Sequence, residues 1–262
     1  MNKLLGIVVL GLLLSGNAFS KHKSFEQMYK WYNYASDGSE NYKKFETELI
    51  EENNYTKLVD KQLANNEKTG LVNVLIYQDG KIIVDKSNYT DEIINNNNLL
   101  RSNSMGKSIA AYVVGHAVCK GYIGSVTQSV SDWEILHDTL YADNTLLEIM
   151  NMTAGDHNFI GEYKYSQFKE SSDGAVFGKA ENHIQKSSIA QTMNKFFRGT
   201  EKKGSRYNYS ALATHVFLNY MISKFDNAQE YEAFLTEIFR DHIGVKERVS
   251  FQKVAFDSSN FD

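Results

Sequence analysis

Two residues with the chemistry of a serine acyl-transfer site, Ser104 and Lys107, lie at the start of an apolar segment. On a helix, a spacing of three residues places both side chains on one face, about one turn apart. A serine hydroxyl becomes a nucleophile when an adjacent base takes its proton, and lysine can serve as that base. Free N–H groups at a helix N-terminus also favour a developing oxyanion. The pair predicts nucleophilic catalysis; the alternative is that Ser104 only caps the helix.

The spacing S-x-x-K is not rare in this chain, so its surroundings decide which copy matters. It occurs four times, at residues 20–23, 104–107, 166–169 and 250–253. Only the second copy opens an apolar segment, which runs from Ile109 to Val118 and predicts a helix that is buried nearly all round. The single cysteine, Cys119, excludes an internal disulfide and is predicted to be a small buried hydrophobe in that helix.

Composition limits the classes of function. The chain has 262 residues, a net charge of −4 and ordinary apolar and charged contents, so nucleic-acid binding is not expected. Lys3, an apolar run over 4–14 and the small residues Ala18 and Ser20 have the pattern of a secretory signal peptide over residues 1–20. The run is short for a membrane span. We therefore expect a mature protein that starts near Lys21, is periplasmic or secreted, and has no stable membrane anchor.

The elements around the pair follow from periodicity and turn residues. Residues 71–77 and 81–86 are predicted to form a β-hairpin because Asp79-Gly80 joins two β-branched runs. Helices are predicted over 40–66, from Ser104 onward, and over 146–152, 183–197, the segment after Ser210, and 227–243. Residues 156–180 are predicted to be a surface loop near the site.

The order of these motifs resembles a known family. S-M-G-K at 104–107 follows the hairpin, and L-L-E-I-M-N-M-T-A-G at 146–155 and G-S-R-Y-N-Y-S-A at 204–211 come next. This order resembles serine hydrolases of the class C β-lactamase and DD-peptidase type, in the branch of esterases and 6-aminohexanoate-oligomer hydrolases. The resemblance covers residues 70–255. It implies an α+β, β-lactamase/transpeptidase-like fold, with an antiparallel sheet flanked by helices and one hydrolase domain over residues 21–262.

The resemblance also implies roles for single residues. Ser104 matches the nucleophile, Lys107 matches the base, and Tyr209 matches the tyrosine that relays a proton to the leaving group. Tyr207 competes with Tyr209 by spacing, but its position matches a buried aromatic residue. Ala211 stands where the family has Asn or Ser, which weakens a β-lactamase interpretation. For lysine to act as base, burial or a nearby positive charge must lower its pKa from the reference value of ~10.4.

One part of the family pattern, the third motif K-T-G or H-x-G on a C-terminal strand, is not recognised in the sequence. No K-T-G follows residue 211, and His242-Ile243-Gly244, which spells H-x-G, closes the helix predicted over 227–243 instead of lying on a strand. Lys68-Thr69-Gly70 spells K-T-G but precedes the hairpin, so it is interpreted as a loop. The C-terminal strands are therefore expected to be missing: the chain is a fragment or a truncated gene product, or a partner chain completes it. Oligomeric state is left open.

Other chemistries find little support in the sequence. The seven histidines show no metal-ligand spacing, and no glycine-rich phosphate loop is present, so neither a metal nor a cofactor is expected. Asp156 and His157 are interpreted as surface residues, and His116 as a core side chain. The favoured function is a secreted serine hydrolase that acts on a small ester or amide through an acyl-enzyme on Ser104. The alternative is a catalytically impaired binding or sensor module on the same scaffold.

Overall fold

The chain forms two compact units in the computed structural model, which describes residues 8–9, 33–65, 73–87, 102–156, 179–184 and 187–252. One unit comprises Met1–Tyr29 and Lys43–Ser102, and the other comprises Lys30–Tyr42 and Asn103–Asp262. Among the described residues, no helix combines the length and the apolar character that a membrane crossing requires.

The first unit contains a small mixed sheet and one helix. The elements are β1 (Val8–Val9), β3 (Glu46–Thr47), α1 (Asn54–Ala64), β4 (Asn73–Gln78) and β5 (Lys81–Ser87). The strand order is β1-β4-β5-β3. Strands β1 and β5 are antiparallel to β4, but β3 is parallel to β5, so the expectation of a purely antiparallel sheet is wrong.

The predicted hairpin is confirmed over its described residues. Asp79 and Gly80 both have positive φ, 50° and 87°, as a two-residue turn between twisted strands requires. Ile76 and Val84 are cross-strand partners and are both buried. Residues 71 and 72 of the predicted first strand lie outside the described residues.

The helix predicted over 40–66 is wrong in its first half. The Asn53 side chain accepts hydrogen bonds from the N–H groups of Tyr55 and Thr56, which fixes the start of α1 at Asn54. Upstream, the backbone bonds to β5 instead, from Glu48 N to Ile82 O at 2.9 Å. The apolar residues Phe45, Leu49 and Leu58, on which the helical period depended, are exposed.

The second unit is mainly helical. A 3₁₀ turn, Asn103–Met105, leads into α2, and a short antiparallel pair joins two distant segments of the unit. Its elements are β2 (Asn33–Ala35), α2 (Gly106–Cys119), α3 (Leu146–Met150), α4 (Lys179–Ile184), α5 (Ile189–Phe196), α6 (Ala211–Ile222), α7 (Ala228–Thr236) with a π-helical continuation (Glu237–Ile243), and β6 (Ser250–Gln252). The helices predicted after residues 145, 210 and 227 are confirmed.

The single helix predicted over 183–197 is two helices, α4 and α5. Ser188 Oγ accepts from Gln191 N–H, and the Gln191 side chain accepts from Ser188 N–H, each at 3.2 Å. This capping box marks a new helix start, so α5 is separate from α4. The apolar residues Ile184, Ile189 and Met193 are fully buried, so the predicted inner side is correct although the helix is interrupted.

The helix that is buried nearly all round is α6, and α2 is buried on one face only. Along α6, every residue from Val216 to Ile222 is buried, and the helix packs against α2, α3, α4 and α5. On α2, the buried side chains are Ala110, Val113, Val114 and Ala117. Ser108, Tyr112, Gly115 and Cys119 form the opposite, exposed stripe. Cys119 lies on this exposed stripe and is therefore not the buried hydrophobe that was predicted. The stripe is only weakly polar, so the sequence does not show that α2 is buried on one face only.

Loss of the α3 cap gives a direct test of this local folding. Thr145 Oγ1 accepts from Glu148 N–H, while the Glu148 carboxylate accepts from Thr145 N–H at 2.9 Å. We expect Thr145→Ala to lower the free energy of unfolding by about 1 kcal/mol, measured by urea denaturation. Thr145→Ser keeps the hydroxyl and should stay close to wild type. Equal losses in both variants would contradict the assignment of the cap.

Candidate active site

Three side chains that the sequence singled out lie together in the second unit. Tyr209 Oη donates a hydrogen bond of 2.5 Å to Ser104 Oγ, although the two residues are 105 positions apart. Lys107 Nζ lies over the Tyr209 ring, 4.8 Å from its centroid. The phenol thus contacts both members of the S-x-x-K pair. Ser104 is exposed, whereas Lys107 and Tyr209 are half-buried.

Ser104 is held by the turn that precedes α2. It lies in the 3₁₀ turn, and Met105 occupies the N-cap position, where its side chain makes no capping hydrogen bond. The capping role considered for Ser104 is therefore wrong, because its hydroxyl bonds to Tyr209 instead. The N-terminus of α2 follows directly, so its positive dipole end lies beside the hydroxyl.

Tyr209 is positioned by the residues on both sides of it. Asn208 N–H donates to Met152 O at 2.8 Å, and Ser210 N–H donates to Met152 Sδ at 3.4 Å. Ser210 Oγ in turn accepts from Ala213 N–H at 3.1 Å and caps α6. Tyr209 therefore stands at a fixed place between Met152 and the start of α6.

A close backbone approach holds the same segment further upstream. Gly155 has a φ of +80°, and a Cβ atom on it would lie 2.7 Å from Gly204 O. Next to this approach, Lys202 Nζ pairs with Glu148 Oε1 at 2.6 Å, and this bond lowers the pKa of Glu148 below its usual range. We call the contacts of residues 148–155 with 202–210 the loop clamp.

The loop that supplies one side of the clamp is held in place by hydrogen bonds from Tyr141 and Asn144. Tyr141 Oη donates to Asp156 Oδ2 at 2.7 Å, and Asn144 Nδ2 donates to Leu140 O and Ala154 O. Asp156 is buried, so its interpretation as a surface residue is wrong: its carboxylate accepts a hydrogen bond inside the unit. His157 lies outside the described residues.

Tyr207, the competitor of Tyr209, has a different environment. Its side chain is 62% exposed, whereas the neighbouring Asn208 is buried. The expectation of a buried aromatic at 207 is therefore wrong, because the residue that the Met152 carbonyl anchors is Asn208. Of the two tyrosines, Tyr209 is the one hydrogen-bonded to Ser104.

The sequence analysis did not single out His215, on α6. Its Nδ1 atom is buried and has no hydrogen-bond partner among the described residues. Burial, with a smaller contribution from the charge of Lys107, lowers the pKa of His215 to about 4. The imidazole is thus neutral at pH 7. The sequence offered one signal for this position. His215 lies four residues after Ala211, the first residue of α6, and therefore one turn further along the same helix face.

Lys107 also differs from many other lysines in its surroundings. Lys86, Lys202 and Lys224, for example, each form an ion pair with a carboxylate. In the part of the chain that the structure describes, no ion pair includes Lys107. Its amine instead lies against a phenol ring and near a neutral imidazole. Within the same part of the chain, no cluster of His, Cys, Asp or Glu is placed to hold a metal ion.

Comparisons with known proteins bear on the fold. No protein-family model and no curated protein matches this chain. A solved structure, "Putative 6-aminohexanoate-dimer hydrolase from Bacillus anthracis", is similar with a TM-score of 0.57 at 13% sequence identity. The similarity covers 88% of this chain and 60% of that one, so this chain spans less than two thirds of its structural relative. The chain therefore shares the fold of that structure over the aligned part, and its combination of helices with small sheets is compatible with the expected β-lactamase/transpeptidase-like fold.

The buried His215 predicts how stability depends on pH. Its pKa is 6.5 when unfolded and about 4 when folded, so the unfolded chain binds more protons between these values. The contribution is fully present above pH 6.5 and is lost as the pH falls towards 4, by up to about 3 kcal/mol. Denaturation curves at several pH values should show a smaller loss in His215→Leu than in wild type. Parallel pH profiles for the two proteins would contradict this.

The loop clamp predicts a second effect, at Gly155. Gly155→Ala places a methyl group against the Gly204 carbonyl and forces a left-handed backbone on an L-residue. We expect a loss of about 2 kcal/mol in the free energy of unfolding, and displacement of Tyr209 from Ser104.

The matched control is Gly121→Ala, which has a similar φ of +81° but open space around its Cβ. It should show the backbone penalty alone, about 1 kcal/mol. Similar losses in the two variants would show that the approach to Gly204 has no energetic role.

Proposed function

We propose that this protein is a serine hydrolase that acts on an ester or amide bond through an acyl-enzyme on Ser104. The observation that carries the proposal is the hydrogen bond between Tyr209 Oη and Ser104 Oγ beside the Lys107 amine. The fold it shares with the Bacillus anthracis structure is compatible with this activity. A nucleophile, a base and a proton relay are the groups that this acyl transfer needs.

The three side chains have separate roles in the proposed reaction. Lys107 Nζ takes the proton of Ser104 as its Oγ forms a bond with the substrate carbonyl carbon. Tyr209 then donates its phenolic proton to the leaving oxygen or nitrogen as that bond breaks, and Lys107 reprotonates the phenolate. In the second half, water attacks the acyl carbon and gives a proton to the same groups. That proton passes to Ser104 Oγ as its bond to the acyl carbon breaks and the acid is released.

Charge stabilisation would come from the start of α2. The Ser104 N–H and the first turn of the helix offer donors for the carbonyl oxygen as it becomes negative. One such donor typically contributes a factor of ~10²–10³ to the rate. The family resemblance implies a second donor, on a strand that carries the third motif.

The substrate is proposed only as a class. The structural relative is described as acting on a 6-aminohexanoate dimer, which contains a linear amide. We therefore propose short linear amides and short-chain esters as the first compounds to assay. We also propose that residues 1–20, which include β1, are a signal peptide, and that the hydrolase domain, from residue 21, acts without that strand in the periplasm or outside the cell.

Labelling with a fluorescent fluorophosphonate tests the proposal. Wild-type protein should form one adduct, on Ser104 by peptide mass mapping, and Ser104→Ala should form none. Lys107→Met and Tyr209→Phe should slow labelling by roughly 10²-fold, because each removes a group that handles the proton.

Tyr207→Phe is the matched control, since it removes the exposed phenol two residues away. It should label at the wild-type rate. A well-folded wild-type chain without an adduct would contradict the hydrolase and favour the binding or sensor module.

A further inference from the structure

His215 presents a buried hydrogen-bonding atom for which the fold provides no partner in the described residues. Nδ1 is shielded from solvent, and the side chain of Ala211, one turn earlier on the same face of α6, has no polar atom. A buried polar atom left unpaired costs ~1–3 kcal/mol. Such a cost in the helix that directly follows Tyr209 suggests that Nδ1 has a partner at another stage of function.

The side chain that can supply this partner is Lys107. The helices α2 and α6 pack together, and the Lys107 charge acts on the His215 imidazole. Of the described titratable groups on the helices packed against α6, Glu148 pairs with Lys202, His183 bonds to Thr192, and Lys195 lies over the ring of Phe196. On α2, His116 packs against the rings of Tyr112 and His242.

We propose that His215 is a positioning residue for Lys107, whose Nζ donates a hydrogen bond to the neutral Nδ1 once the amine turns towards it while still lying over the ring of Tyr209. This inference rests on the proposed function, since it describes the lysine after it has taken the Ser104 proton. The ammonium then carries three N–H donors. Tyr209 provides a π face for one side of it, and Nδ1 provides a directed acceptor on another.

The neutral state of His215 is what makes this role possible. An imidazole with its proton on Nε2 offers Nδ1 as an acceptor, whereas an imidazolium has no acceptor and repels a lysine. Because burial keeps the pKa of His215 near 4, the acceptor is present throughout the neutral pH range. The imidazole itself neither gains nor loses a proton. The proton passes from Ser104 to Lys107 and then to Tyr209, which has given its own proton to the leaving group.

Isosteric variants separate this role from packing. Leucine at 215 keeps volume without an acceptor, asparagine places an amide oxygen near the position of Nδ1, and glutamine places it near that of Nε2. We expect His215→Leu and His215→Gln to slow fluorophosphonate labelling of Ser104 by roughly tenfold, and His215→Asn to restore most of the rate.

The matched control is Thr214→Val, which removes another buried, unpartnered oxygen from the same helix. It should label at the wild-type rate. If wild type is labelled and all three His215 variants keep its rate, the positioning role is wrong while the hydrolase stands. If wild type is not labelled, the proposed hydrolase itself is wrong.

A second measurement does not depend on labelling or on the stability of the His215 variants. In Lys107→Met, removal of the positive charge should raise the pKa of His215 from about 4 towards 6.5, followed by NMR of ¹⁵N-labelled histidine. Burial remains, so the value should stay below 6.5. An unchanged titration would show that the two side chains are not coupled and would overturn the inference.

Discussion

The site depends on the loop clamp, because Tyr209 lies in a segment without regular secondary structure. Helix and strand ladders cannot fix such a residue, so its position comes from the Met152 carbonyl and thioether, the close approach at Gly155 and the cap at Ser210. The backbone on either side is anchored, and the phenol between the anchors reaches Ser104. The chemistry proposed for the site is therefore a property of the packing between two loops.

The electrostatics of the site depend on the groups that surround the ammonium of Lys107. Lys107 lies against a ring face and near a neutral imidazole, and neither environment neutralises an ammonium as a carboxylate would. A lysine paired with aspartate or glutamate is held in its charged form. The surroundings of Lys107 thus differ from those of Lys202 or Lys224, which pair with carboxylates and tie segments of the second unit together.

Local signals in the sequence predicted much of the fold, and long-range contacts account for what was missed. Asp79-Gly80 strongly favours a tight turn, so the hairpin was predictable. The spacing of Ser104 and Lys107, together with the apolar segment that follows them, marked the candidate site. The capping box at Ser188 was readable too, but apolar periodicity concealed it. The exposure of Cys119 and the buried Nδ1 of His215 depend on which helix face meets which neighbour. The spacing of residues within one helix does not predict those contacts.

The separation of 105 positions between Ser104 and Tyr209 has a consequence for how the molecule folds. A contact between such distant parts of a chain forms only after the entropy of closing a long loop has been overcome, and it belongs to the slow, non-local stage of folding. A chain synthesised only as far as residue 200 carries the serine and the lysine without the phenol. The contacts among these three side chains therefore form late, after most of the second unit has been synthesised.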